Sequence, residues 1–91
     1  MRVHSQTVKD DLQKRLRRVE GQVRGVQRMV DEDRECDEII QQLNAIHAAV
    51  RNASHTFMRG YARECLLRAR EMDTEGEEMV DELLDLMAKV R

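Results

Sequence analysis

The feature that most constrains the fold is a series of apolar residues near the start of the chain. They recur at alternating intervals of four and three residues, at Leu12, Leu16, Val19, Val23, Val26 and Val30. This spacing places them on one side of an α-helix, as in the seam of a coiled coil. Basic residues fall on the opposite side. The pattern predicts a helix that begins after Ser5 or Thr7, with one apolar face and one cationic face.

Two further apolar patterns predict two more helices. A long stripe predicts a helix from about Cys36 to about Arg70, in which Gly60 is the point where the helix could bend. A polar break at Asp73 to Gly76 precedes a short third helix, whose apolar residues are Met79, Val80, Leu83, Leu84, Met87 and Val90. The chain contains no proline. We therefore predict an all-α fold with one domain over residues 1–91.

The size and composition of the chain indicate self-association. Of its 91 residues 37% are charged, and it has only one Phe and one Tyr with which to build a core. Chains this small are marginally stable unless they are cross-linked, bind metal or form oligomers. No stretch approaches the ~18 consecutive apolar residues of a membrane span, and the first residues lack the apolar centre of a signal peptide. We expect a soluble, cytoplasmic protein with no membrane partner.

The net charge of −2 hides a segregated distribution of charge. Residues 1–30 carry eight bases and three acids, and residues 41–70 carry five arginines and one acid, Glu64. The acids are concentrated in residues 31–40 and 71–91. Arg-rich helical faces of this kind are typical of a phosphate-binding surface, although a solvated face is the simpler alternative.

Two cysteines lie on the stripe of the second helix. Cys36 and Cys65 are 29 residues apart, which is close to a whole number of helical turns and corresponds to roughly 43 Å along a straight helix. They cannot meet within one helix. If two copies of the helix pack antiparallel, Cys36 of one chain faces Cys65 of the other, and the same register sets Ile40 against Tyr61 and Leu43 against Met58.

Both cysteines are expected to be free thiols in a reducing compartment, and their simplest role is that of small buried apolar residues. Two paired thiolates have a second use. They can bind a soft cation such as Cu(I), or they can be bridged by oxidising sulfur species. Nothing in the sequence resembles a nucleophile with its base, so we do not expect an enzyme.

The segment RLRRVEGQVRGVQRM at residues 15–29, with Cys36 and the segment YAREC at residues 61–65, resembles the CsoR/RcnR family of transcriptional repressors. The similarity extends over roughly residues 7–88. It implies a three-helix protomer, an antiparallel four-helix-bundle dimer and assembly into a tetramer. It also implies operator DNA as a partner, with repression relieved when an inducer binds between protomers.

The resemblance also suggests the inducer site. Cys36 and Cys65 match the first and last ligands of the copper sensors, but the middle position, a His in those sensors, is Tyr61 here. A Cys pair without that His is more similar to the persulfide-sensing branch, so bridging of Cys36 and Cys65 by sulfane sulfur is the leading hypothesis. Cu(I) as inducer is the alternative, with Cys36, Cys65, Tyr61 and His4 as candidate ligands. No cofactor is required in either case.

The same resemblance favours DNA binding by the basic face. The candidate contact residues are Lys14, Arg15, Arg17, Arg18 and Arg51, with Arg59 and Arg63 as further ones. The sequence shows no helix-turn-helix, zinc finger or aromatic platform, so the surface is expected to be built by several protomers. A structural coiled-coil oligomer is the alternative of another class, and it would leave both the thiols and the arginines without a role.

Overall fold

The computed structural model describes residues 1–70 and 75–91. Over these residues the chain forms three α-helices, α1 at Gln6–Asp31, α2 at Cys36–Ala69 and α3 at Glu75–Met87, and no strand. The all-α prediction is confirmed. The predicted polar break is wrong at Glu75 and Gly76, which are helical, because an acidic residue is favourable at a helix N-terminus. Asp73 and Thr74 lie outside the described residues.

The ends of α1 are set by local hydrogen bonds. Ser5 is the N-cap, and its hydroxyl accepts a hydrogen bond from the backbone N–H of Val8 at 3.3 Å. At the other end, the Asp33 N–H donates to the Val30 carbonyl and the Arg34 N–H donates to the Met29 carbonyl. This pair of bonds is a Schellman cap, and it places Asp33 in the left-handed region at φ 56°.

Helices α1 and α2 are in close contact at Gly60. A Cβ built on Gly60 would lie 2.9 Å from Cγ2 of Val8. The structure thus gives Gly60 a packing role: it admits the side chain of Val8 at the contact between the two helices. Gly21 and Gly25, both on α1, have nothing within 4 Å of such a Cβ.

The core is small and lies at one end of α2. The buried apolar residues are Ala53, Met58, Tyr61, Cys65 and Leu83, and α1 buries none of its residues. Towards the start of α2 the apolar stripe remains open, with Leu43 46% exposed. The chain measures 59 × 24 × 13 Å. Within residues 1–70 and 75–91, no helix is both long enough and apolar enough to cross a membrane.

Candidate sensor site and basic face

The thiol of Cys65 lies in the core of the single chain. Cys65 is 2% exposed and packs in one cluster with Met58, Tyr61 and Leu83. The antiparallel register predicted from the sequence had Met58 and Tyr61 facing a second copy. Within one chain these residues are already covered in part, since α3 and the N-terminal residue Val3 pack against this cluster.

A cavity of about 360 Å³ opens beside Cys65. It brings together three of the residues predicted from the sequence, Cys65, Tyr61 and His4, and it is lined in addition by Met1, Arg2, Arg68, Glu78, Met79 and Glu82. Cys36 is not part of it. That residue is exposed at the first position of α2. In the part of the chain that the structure describes, no group of three or more His, Cys, Asp or Glu residues could hold a metal.

Tyr61, which stands where the resemblance to copper sensors predicts a His, lies in the same buried cluster as Cys65. Its ring stacks on Phe57, with the centroids 6.1 Å apart and the planes 4° from parallel. Burial, and then the neighbouring Cys65 thiol, raise the pKa of Tyr61 to about 12. The phenol is therefore neutral at physiological pH. A neutral phenol is a poorer ligand for a soft cation than an imidazole.

One residue of this region, Glu64, is not among those predicted from the sequence. Its Oε1 accepts hydrogen bonds from the backbone N–H groups of His4 at 2.8 Å and Ser5 at 2.7 Å. Arg68 lies 3.5 Å from the same oxygen. The available signal was its isolation, because Glu64 is the single acid among the five arginines of residues 41–70.

The predicted basic face is present on α1. Lys14, Arg17 and Arg18 are exposed, and Lys14, Arg15 and Arg18 line an open groove together with Asp11. Arg15 is partly engaged, since its Nε lies 2.8 Å from Oδ2 of Asp11. These four of the basic residues of α1 therefore form a cationic surface that is open to solvent.

Arg51 lies apart from this surface. It is on α2, and its Nη2 lies 3.3 Å from Nε2 of His47. It lines a different cavity, of about 530 Å³, which it shares with His47 and residues near the end of the chain. One chain does not place Arg51 in the groove of Lys14, Arg15 and Arg18.

Comparison with known proteins identifies the family. The pattern of the metal-sensitive transcriptional repressor family matches residues 8–89. The copper-sensing transcriptional repressor CsoR of Bacillus subtilis is 41% identical over 81 residues, which cover 89% of this chain and 79% of the relative. The copper-sensing repressor RicR of Mycobacterium tuberculosis is 43% identical over 61 residues, 67% of this chain and 64% of the relative.

Solved structures agree with this assignment. The crystal structure of the copper-sensing repressor CsoR with Cu(I) from Geobacillus thermodenitrificans superposes with a TM-score of 0.77 at 36% identity, covering 98% of this chain and 92% of that one. The nickel-responsive transcriptional regulator InrS superposes with a TM-score of 0.81 at 32% identity, covering 99% of this chain and all of that one. With its three-helix fold and its match over residues 8–89, the chain belongs to the metal-sensitive transcriptional repressor family.

Proposed function

We propose that this repressor binds operator DNA through the basic face of α1 and leaves it when Cu(I) binds at Cys65 of one protomer and Cys36 of a second. The observation that carries the proposal is the cavity in which Cys65 and His4 lie together without a second thiol. Soft thiolate ligands suit Cu(I). Family membership places the chain among transcriptional repressors rather than enzymes or structural coiled coils.

A second copy is needed both for stability and for the site. Apolar side chains of α1 and the first half of α2 are exposed in the single chain, among them Val23, Val30, Ile40, Leu43 and Val50. A second copy packed antiparallel along α2 would cover them. The same arrangement would bring the exposed Cys36 of the second copy towards the cavity of Cys65. We propose a dimer of this kind as the unit from which a tetramer is built.

Cu(I) is favoured over sulfur bridging because of His4. The sequence alone favours the opposite order of the two inducers, since Tyr61 stands where the resemblance predicts an imidazole. The position of His4 on the wall of the Cys65 cavity offers a substitute imidazole and supports its choice as a candidate ligand. Cys65, Cys36 of a second copy and His4 would then be the three donors. The curated relatives named above are copper-sensing repressors, which supports the same choice.

Bridging by sulfane sulfur is the second candidate, and Tyr61 is the observation that favours it, because two thiols alone suffice. One thiolate attacks the outer sulfur of a persulfide RSSH, forms a protein persulfide and releases the thiol RSH. The second thiolate attacks the inner sulfur of that protein persulfide, forms the Cys36–Cys65 disulfide and releases hydrogen sulfide. Two protein thiols are oxidised, and the sulfane sulfur is reduced to sulfide.

Mixed oligomers test the site between protomers. Cys36→Ser and Cys65→Ser should each abolish release from DNA by the inducer. Subunits of the two variants, unfolded and refolded together, should regain about a quarter of the sites, because about half of the dimers are mixed and each mixed dimer forms one of its two pairs of wild-type thiols. If the mixture stays unresponsive while both variants still bind DNA, the two thiols do not act together across the interface.

Metal competition distinguishes the inducers. Reduced protein is titrated with Cu(I) against a chelator, with Ni(II) as the comparison because one structural neighbour is nickel-responsive. A separate sample is treated with polysulfide and analysed by mass spectrometry. We expect tight Cu(I) binding that His4→Ala weakens and Tyr61→His strengthens. A Cys36–Cys65 crosslink with polysulfide, together with weak Cu(I) binding, would favour the second candidate.

Salt dependence tests the DNA surface. Each lost phosphate contact lowers the slope of log affinity against log salt by about one unit. Lys14→Ala and Arg18→Ala should lower both the slope and the affinity, and Arg15→Ala should do so too, despite its pairing with Asp11. Arg34→Ala is the control, because Arg34 lies in the turn after α1 and is paired with Glu38 at 3.0 Å. Equal slopes for all variants would remove the α1 face from the DNA interface.

A further inference from the structure

The N-terminal residues form a strap over the sensor thiol. Residues 1–5 precede α1, and three of them, Met1, Arg2 and His4, line the Cys65 cavity. Val3 packs against the core cluster that contains Cys65. A segment of five residues thus covers the thiol from one side and continues directly into the helix that carries the basic face.

One side chain of α2 holds this strap. Glu64, the residue before Cys65, accepts the backbone N–H groups of His4 and Ser5 on the same oxygen, at 2.8 and 2.7 Å. Hydrogen bonds from N–H groups to a carboxylate are short and strong, and a negative charge is favourable beside the N-terminus of α1. These are tertiary bonds, because they join residues 60 and 59 positions apart.

The carboxylate has little else to bind. Its second oxygen, Oε2, is buried and accepts no hydrogen bond from the described residues. Arg68 lies at the edge of contact, with its Nη2 3.5 Å from Oε1. The two N–H groups of the strap are therefore the main partners of a largely buried charge.

We infer that Glu64 is a positioning residue of the sensor site, which seats residues 1–5 over Cys65 so that the strap limits access to the thiol and keeps His4 beside it. The inference rests on the proposed function in one respect, that Cys65 is the sensing thiol. Because residues 1–5 lead directly into α1, a change in the bonds to Glu64 would act on the start of the helix that bears Lys14, Arg15, Arg17 and Arg18.

The first test measures access and needs no assumption about the inducer. The intact, reduced oligomer is alkylated with iodoacetamide, and the rates at Cys65 and Cys36 are followed in one sample by mass spectrometry. Glu64→Ala should speed alkylation of Cys65 about tenfold, which corresponds to the loss of roughly 1.4 kcal/mol of hydrogen bonding. Glu64→Gln keeps the size and one acceptor oxygen and should give a smaller increase. Glu78→Gln is the matched control, because Glu78 lines the same cavity.

Two results would overturn the inference. One is a Cys65 rate within about twofold of wild type in both Glu64 variants, which is less than the loss of a single hydrogen bond would produce. The other is an equal acceleration at both cysteines with loss of helix content by circular dichroism, because Glu64 would then only stabilise the fold. Glu64→Gln keeps the test decisive if Glu64→Ala does not fold.

The second test asks whether Glu64 acts through His4. Cu(I) affinity is measured by chelator competition for His4→Ala, Glu64→Gln and the double variant. If Glu64 positions His4, the double variant should bind Cu(I) no more weakly than His4→Ala alone. Additive losses would overturn this part. Failure of Cu(I) binding in the wild type would count against the proposed inducer and would leave the alkylation result unaffected.

Discussion

The two halves of α2 differ in how far one chain completes them. The second half is packed by α3, by Val3 and by Val8 of α1, and it contains Ala53, Met58, Tyr61 and Cys65, four of the five buried apolar residues in the described part of the chain. The first half has α1 beside it and buries none of its residues. Its stripe ends at the exposed Cys36.

Because of this difference, the two cysteines of α2 depend on different contacts for their position. Cys65 is positioned by the fold of its own chain, through the core and the strap. Cys36 has no such support and depends on whatever covers the open half. A site made of both would combine a preformed part with a part that exists only in the oligomer, so that sensing and assembly are linked.

The largest expected effect comes from placing a charge on the exposed apolar stripe in the first half of α2. Leu43→Glu should weaken association more than 100-fold, because an unpaired carboxylate in an apolar interface costs about 3 kcal/mol or more. Sedimentation should show a lighter species and DNA binding should fall. Gln42→Glu is the control, since it adds the same charge at the neighbouring exposed position. A full-size oligomer in Leu43→Glu would show that the open half is not an interface.

A smaller effect is expected in the packed half, at Gly60. Gly60→Ala should lower the free energy of unfolding by about 1 kcal/mol, because the cost of overpacking against Val8 exceeds the gain in helix propensity. Gly25→Ala meets nothing within 4 Å and should raise it by up to ~1 kcal/mol. Denaturant unfolding at one protein concentration measures both. The same sign for the two variants would contradict the close approach at Gly60.

The pKa of the single tyrosine, Tyr61, reports on the packing of the second half of α2. The folded chain should hold the phenol proton up to a pKa of about 12, whereas the unfolded chain loses it near 10. Because the unfolded state then binds fewer protons, stability should fall as the pH rises between these values. Tyrosinate absorbance of the reduced apo-protein measures the pKa. The same value in Leu43→Glu would show that one chain sets it, and a pKa near 10 would contradict the burial.

The smallest effect is expected in the turn between α1 and α2. Asp33 occupies the left-handed cap position that glycine favours. Asp33→Gly should stabilise the chain by less than ~1 kcal/mol, since relief of the backbone strain is partly offset by the chain entropy of glycine. Asp33→Ala keeps the strain and loses the polar side chain, so it should destabilise. Thermal unfolding of the pair gives the sign, and a less stable glycine variant would contradict the cap.

The helices could be predicted from the sequence because they are local. The periodicity of the α1 seam and the cap of its first turn depend on neighbours within a few residues. The helix is confirmed, and of the two predicted starts, after Ser5 or after Thr7, the structure has the first. The start of α3 predicted from the sequence is too late, because Glu75 and Gly76 are typical turn residues, although an acid is also favoured in a first helical turn.

The candidate site could be predicted only in part. The spacing of Cys36 and Cys65 showed that one chain cannot join them, and the structure agrees, with one thiol exposed and the other buried. The contacts of Glu64 with His4 and Ser5, and the position of Gly60 against Val8, join segments far apart in sequence. No periodicity encodes such contacts, and they depend on how the N-terminal residues cross α2.

The dimensions of the chain bear on the length of DNA that it can recognise. A protomer 59 Å long, laid along B-DNA, would span roughly 17 base pairs at about 3.4 Å per step, less than two turns of the duplex. The α1 groove of Lys14, Arg15 and Arg18 extends over only a few of those steps. Contacts on both sides of an operator would then require basic side chains from different protomers. The symmetry of the binding sequence should therefore mirror the symmetry of the oligomer.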